Sequence, residues 1–179
     1  RVTCFKCKID LWHTENQFKS THRDSCPYKN MRSTYKIPES VLVVIYTPEL
    51  EVLLLERADK PGFWQSVTGS KDSLDEALEL TAQREVMEET GIDTQAHTLT
   101  DWHLSNIYEI YPTWRHRYAP GVTQNKEYVF GLCVPRSTSV TLAPREHLRY
   151  QWLALKEAAD MCFSASNAEA ILQLQQRHK

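Results

Sequence analysis

The chain has 179 residues, 41% of them hydrophobic and 25% charged, the profile of one soluble globular domain with room for a small appendage. A formal net charge of -2 gives no bulk attraction to nucleic acid or to an anionic membrane, so a polyanionic ligand must be held by local groups. The longest apolar run, the six residues Val41 to Tyr46, is far short of the roughly 20 that cross a bilayer.

The first thirty residues are polar and show no signal-peptide pattern, from which a cytoplasmic setting is expected. Three of the five cysteines lie here, and an odd total argues against a complete disulfide framework. Cys4 and Cys7, then His22 and Cys26, have the ligand spacing of a small zinc finger. So short a segment needs the metal to fold. Two readings stay open for residues 1–30: a Zn²⁺-binding finger, or an extension without a fold of its own. The main domain is expected over 31–179.

From Ser40 to Tyr46 the run SVLVVIY is rich in β-branched residues, and Leu50 to Leu55 follows after a turn-like Thr47, Pro48 and Glu49. Two buried strands are predicted. Phe63 to Thr68 reads as a third strand ending at Gly69, with Trp64 in the core. Ser73 and Glu76 have the spacing of a capping box, which predicts a helix over about Leu74 to Thr90. Gly91 is the expected stop, because glycine accepts the left-handed conformation there. Thr98 to Tyr111, Glu127 to Val134 and Tyr150 to Leu153 read as further strands, and Ser166 to Arg177 as a terminal helix burying Ala170, Ile171 and Leu174. Strands with one central and one terminal helix predict an α+β fold, a mixed sheet between helices.

The apolar stripe of the central helix turns acidic at its end. Glu85, Glu88 and Glu89 stand at i, i+3 and i+4, where each exposed like-charge pair costs roughly 0.2–0.5 kcal/mol, and the helix dipole disfavours them further. A solvated acidic face is one reading. A bound cation is the other, and hard oxygen ligands suit Mg²⁺ or Mn²⁺ bridging to phosphate.

Arg84-Glu-Val-Met-Glu-Glu-Thr-Gly-Ile92, with Glu76 eight residues before Arg84, resembles the Nudix hydrolase signature at every fixed position of that stretch. One departure is that the signature glycine falls on Ser70, with Gly69 one residue further out, so the loop is one residue longer. The resemblance implies a Nudix-type sheet between helices and hydrolysis of a diphosphate linkage in a small phosphorylated substrate. Glu85 and Glu89 would be Mg²⁺ ligands, with Glu88 close behind. Arg84 would orient a carboxylate through its planar guanidinium.

Outside this stretch, Phe63-Trp-Gln-Ser-Val-Thr-Gly-Ser70, Arg115-His-Arg-Tyr-Ala-Pro-Gly-Val-Thr123 and Glu146-His-Leu148 resemble the bacterial branch of the family that acts on dihydroneopterin triphosphate. That resemblance spans about residues 34–175. It implies substrate contacts from Lys36, Arg57 and Thr68, a pocket lined by Tyr108, Glu109, Ile110 and Tyr111, a further contact at Ser164, and a metal-binding carboxylate at Glu146. The products would be the monophosphate and pyrophosphate, with a glutamate of the signature or Glu146 taking the proton. Arg115, His116 and Arg117 are expected to contact phosphate. His97, His103 and His147 show no metal spacing and receive no role. Two other readings are a general nucleotide or dinucleotide pyrophosphohydrolase, and a non-catalytic ligand-binding domain carrying a zinc-binding interaction module. The intact glutamates weigh against the second. Oligomeric state is not legible in the sequence.

Overall fold

The structure, a computed structural model, describes residues 35–177, so the predicted zinc ligands Cys4, Cys7, His22 and Cys26 lie outside the described residues. Seven strands form one mixed sheet whose central path runs β3, β2, β1, β6, β5. The strands are β1 (Glu39–Tyr46), β2 (Glu51–Arg57), β3 (Trp64–Gln65), β4 (Val67–Ser70), β5 (Thr98–Glu109), β6 (Gln124–Cys133) and β7 (His147–Ala154). β1 runs parallel to β6 over its whole length and antiparallel to β4 over Ser40–Val43. β2 pairs antiparallel with β7 and, at Leu55 and Glu56, with β3.

Nearly every residue of β1 and β2 is buried, because both faces of the sheet are covered. Period-two alternation sends Val41, Val43 and Ile45 to one side, where Ala82 and Val86 of helix α1 (Leu78–Thr90) pack. Leu42 and Val44 go to the other, against α2 (Leu155–Met161), α3 (Ala165–Leu172) and α4 (Leu174–Arg177) through Ala158, Ala159, Ala170, Ile171 and Leu174. The expected sheet between helices is what forms. Among the described residues, no helix is long and apolar enough to cross a membrane.

Four local expectations need correction. The strand predicted over Phe63 to Thr68 is two strands broken at Ser66, where a side chain replaces the ladder. The Ser66 N–H donates to Asn167 Oδ1 at 2.8 Å, and Asn167 Nδ2 donates to Ser66 Oγ at 2.9 Å. The capping box does not form, and α1 starts four residues later than predicted, at Leu78, with no side-chain cap. Glu76 is drawn instead to the Asp72 N–H and to Arg84. The strand from Thr98 stops at Glu109 because Pro112 opens a 3-10 turn over Pro112–Arg117. The terminal helix divides at Gln173, and α2, which carries no Gly or Pro punctuation at its ends, was not legible. Gly91 ends α1 as expected, at φ 68°, with its N–H bonded to the Met87 carbonyl at 2.9 Å.

Candidate active site

The acidic end of α1 is organised by Arg84. Its Nε donates to Glu76 Oε1 at 3.1 Å, its Nη1 to Glu85 Oε1 at 2.7 Å and its Nη2 to the Ser70 carbonyl at 3.0 Å, while Glu88, mostly exposed, sits at 3.4 Å. A planar five-donor group suits this role, since one ammonium could not serve three directions with fixed geometry. On the strand side, Gly69 lies directly over Glu85. A Cβ built there would fall 1.7 Å from Glu85 Cδ, so only glycine leaves room for the carboxylate. The longer loop therefore keeps its glycine in contact with the helix and takes up the extra residue between Ser70 and Glu76.

Glu89 is buried one turn further on. Its Oε2 lies 2.8 Å from His147 Nε2, and its Oε1 accepts the Thr68 N–H at 3.4 Å. Glu89, Glu146 and His147 each bring a ligand atom within 4.8 Å of the others. Burial pushes the Glu85 carboxyl up to about 7 against the pull of Arg84, and raises Glu89 against that of His147. His147 Nδ1 is buried without a partner among the described residues. Glu89, desolvated and paired with no Lys or Arg among the described residues, fits a divalent cation together with the adjoining Glu146 and imidazole. The structure thus joins Glu89 and Glu146 of the predicted metal set and adds His147, whereas Glu85 stands apart under Gly69, engaged by Arg84.

A cavity of about 690 Å³ opens beside this cluster. Lys36, Arg57, Thr68, Tyr108, Glu109, Tyr111, Ser164, Glu89 and Glu146 all line it. Burial, with Arg117 adding, lowers the Lys36 pKa. Arg57 makes a bidentate pair with Asp59 at 2.7 and 2.8 Å and lies 5.3 Å from the Trp114 ring centre. Ser164 caps α3 by accepting the Asn167 N–H at 3.3 Å. Ile110 does not reach the cavity: it is buried, with its N–H on the Thr123 carbonyl. Of the basic triplet, Arg117 lines the cavity, while Arg115 turns to Glu109 and the Ile110 carbonyl. Trp64 is buried, as expected.

The sequence reading gives no role to His147, Arg145, Trp114, Asn167 or Glu127, all of which line the cavity. The signal for His147 was its adjacency to Glu146 at the start of a strand. The signal for Glu127 was an acid within a stretch otherwise read as a strand. Trp114 carried none, because it lies on the unforeseen 3-10 turn.

The profile of the NUDIX domain matches residues 36–174. The dihydroneopterin triphosphate diphosphatase of Escherichia coli strain K12 is 46% identical over 142 residues, covering 78% of this chain and 93% of that protein. The protein of the same name from Haemophilus influenzae is 44% identical over 140 residues, covering 76% of this chain and 87% of that one. The solved structure of the E. coli dihydroneopterin triphosphate pyrophosphohydrolase superposes with a TM-score of 0.73 at 45% identity, covering 80% of this chain and 99% of that one. With a carboxylate helix closed by Gly91, a sheet between helices and relatives at this level, the chain belongs to the Nudix hydrolase family.

Proposed function

We propose that this enzyme hydrolyses dihydroneopterin triphosphate to dihydroneopterin monophosphate and pyrophosphate, with Mg²⁺ or Mn²⁺ as cofactor. The supporting observation is that one cavity joins the carboxylate and histidine cluster, the cations Lys36, Arg57, Arg117 and Arg145, and the aromatic walls Tyr108, Tyr111 and Trp114. The relatives of that name at 44–46% identity point to the same substrate.

Glu89 and Glu146, with Glu85 nearby on the same helix, would hold a divalent cation, which would offset phosphate charge and make water a better nucleophile. His147 and the Thr68 N–H hold the Glu89 carboxylate in place, and Arg84 does the same for Glu85. Lys36, Arg57 and Arg117 bind phosphate oxygens and bring the inner diphosphate bond against the carboxylates. A glutamate, either of the α1 signature or Glu146, takes the proton of the attacking water. Tyr108 and Tyr111 offer ring surfaces to a flat heterocycle. Glu109 and Ser164 stand at the cavity wall as further polar contacts.

Product analysis against a panel of triphosphates, with Mg²⁺ and with a chelator, tests this. Pyrophosphate release from the pterin triphosphate is expected to exceed that from ATP or dATP by about 100-fold in specificity, roughly 2.7 kcal/mol of differential binding at the transition state. Equal turnover of a purine triphosphate would replace this reading with a general nucleotide hydrolase, and orthophosphate as first product would undo the point of attack.

Residues 1–30 are proposed as a separate segment, either an extension without a fold of its own or, on the strength of spacing alone, a finger with Cys4, Cys7, His22 and Cys26 as Zn²⁺ ligands. Its removal is expected to leave kcat/KM within about 2-fold, since the family match begins at residue 36 and every cavity residue named above lies within that match. Elemental analysis of the full chain finding no zinc would remove the finger, and lost activity would contradict the boundary.

A further inference from the structure

Of the acidic groups that line the cavity, one that is buried takes no part in the hydrolysis. On the β6 face turned toward α2–α4, the core stripe of Val129 continues two residues at a time into Glu127 and Asn125. Where an apolar residue would complete the layer, Glu127 places a carboxylate only 5% exposed, lining the cavity beside Ser40, Leu42, Tyr108 and Asn167. No Lys, Arg or His among the described residues forms an ion pair with it, and its Oε1 has no hydrogen-bond partner; the Ser166 hydroxyl is its one polar contact of note. Asn125, buried next to it along the strand, spends its Nδ2 on Ser40 Oγ at 2.7 Å and Tyr108 Oη at 3.1 Å, and its Oδ1 is likewise without a partner.

Buried acceptors in a native fold are matched by donors, and a carboxylate with two in-plane oxygens is best matched by two parallel N–H groups. The described residues supply no such pair here. We propose that Glu127 is the specificity-determining residue of the site, its carboxylate receiving the ring N–H and the adjacent exocyclic amine of a 2-amino-4-oxo heterocycle such as a pterin. This rests on the substrate reading above and deepens it, naming the edge by which the ring is recognised. Adenine presents an acceptor nitrogen beside its amine, so its edge would set acceptor against acceptor. Burial pushes the Glu127 carboxyl up to about 7, as expected for an acid awaiting donors. Burial, with the Glu127 carboxylate adding, raises the neighbouring Tyr108 phenol to about 12.

The test has two arms. In steady-state assays with Mg²⁺, Glu127→Gln, which turns one acceptor into a donor, is expected to lower the ratio of kcat/KM for dihydroneopterin triphosphate over that for ATP by about 100-fold. In calorimetric titrations of the wild-type protein without metal, phosphate-free dihydroneopterin is expected to bind about 50-fold more tightly than its analogue lacking the 2-amino group. A ratio unmoved by the substitution, whether activity on both substrates stays or falls together, overturns the proposal, and so does equal binding of the two pteridines. The second arm needs no variant and decides the matter if Glu127→Gln does not fold. A wild-type enzyme that turns over both triphosphates equally would sink the substrate reading alone, while the titration still reports on the recognised edge.

Discussion

His147 Nε2 lies 2.8 Å from Glu89 Oε2, and both side chains are almost wholly withdrawn from solvent. The pair joins the start of β7 to the last turn of α1, and a ligand so fixed binds its cation without first being ordered. His147→Ala is expected to lower kcat and Mn²⁺ affinity by about 10- to 100-fold, with KM for the organic substrate nearly unchanged. Isothermal titration with Mn²⁺ checks this. An unchanged affinity would mean that Glu89 is positioned by the Thr68 N–H alone.

Glu85→Gln and Glu89→Gln keep volume and remove charge. Each is expected to reduce turnover by a factor on the order of 10³ while leaving the fold intact, since an interaction lost only in the reacting complex appears in kcat. Circular dichroism and a progress curve on the same preparation separate the two. Near wild-type activity in either variant would show that its carboxylate is dispensable.

Gly69→Ala forces a methyl group into the Glu85 carboxyl, at a calculated 1.7 Å from Cδ. The side chain can give way only by leaving Arg84 Nη1, now 2.7 Å distant. Loss of activity on the order of 100-fold, with at most about 1–3 kcal/mol of stability, is expected. If thermal unfolding and activity were both unaffected, the packing of strand against carboxylate would be irrelevant to function.

The pH dependence of stability should carry the mark of Glu127. Burial raises its carboxyl from 4.5 to about 7, so the folded state holds this proton more tightly than the unfolded chain. The stabilisation is complete below about 4.5 and is lost as pH rises through about 7. Glu127→Gln cannot titrate. In melts with chelator over that window, its midpoint should fall less with rising pH than that of the wild type. Parallel curves for the two proteins would show that Glu127 is not buried as a carboxyl.

The sheet and its two covered faces were legible because VLVVIY and LEVLLL are too continuously apolar for anything but strands shielded on both sides. Glu85, Glu89 and Gly91 were legible because their spacing means something only on a helix that ends there. The break at Ser66 was not, since it depends on Asn167, 101 residues away in the chain. The capping box misled for a related reason: Glu76 had a local partner in Ser73, and Arg84, two turns along, offered a charged one. His147 and Glu127 look ordinary in a linear string. Their importance comes from what surrounds them, an acid in one case and the lack of any cation in the other.

The turn between Gly69 and α1 is secured at both ends through one side chain, since Arg84 holds Glu85 under Gly69 and also takes Glu76. The residues between them span a gap whose width is set elsewhere, so their number is free to vary at only the slow logarithmic rise of loop-closure entropy. This makes the exposed Ser73 to Asp75 a place where a short tag, a fluorophore or a protease site could be grafted with the Lys71–Glu39 pair and the Asp72 N–H left in place.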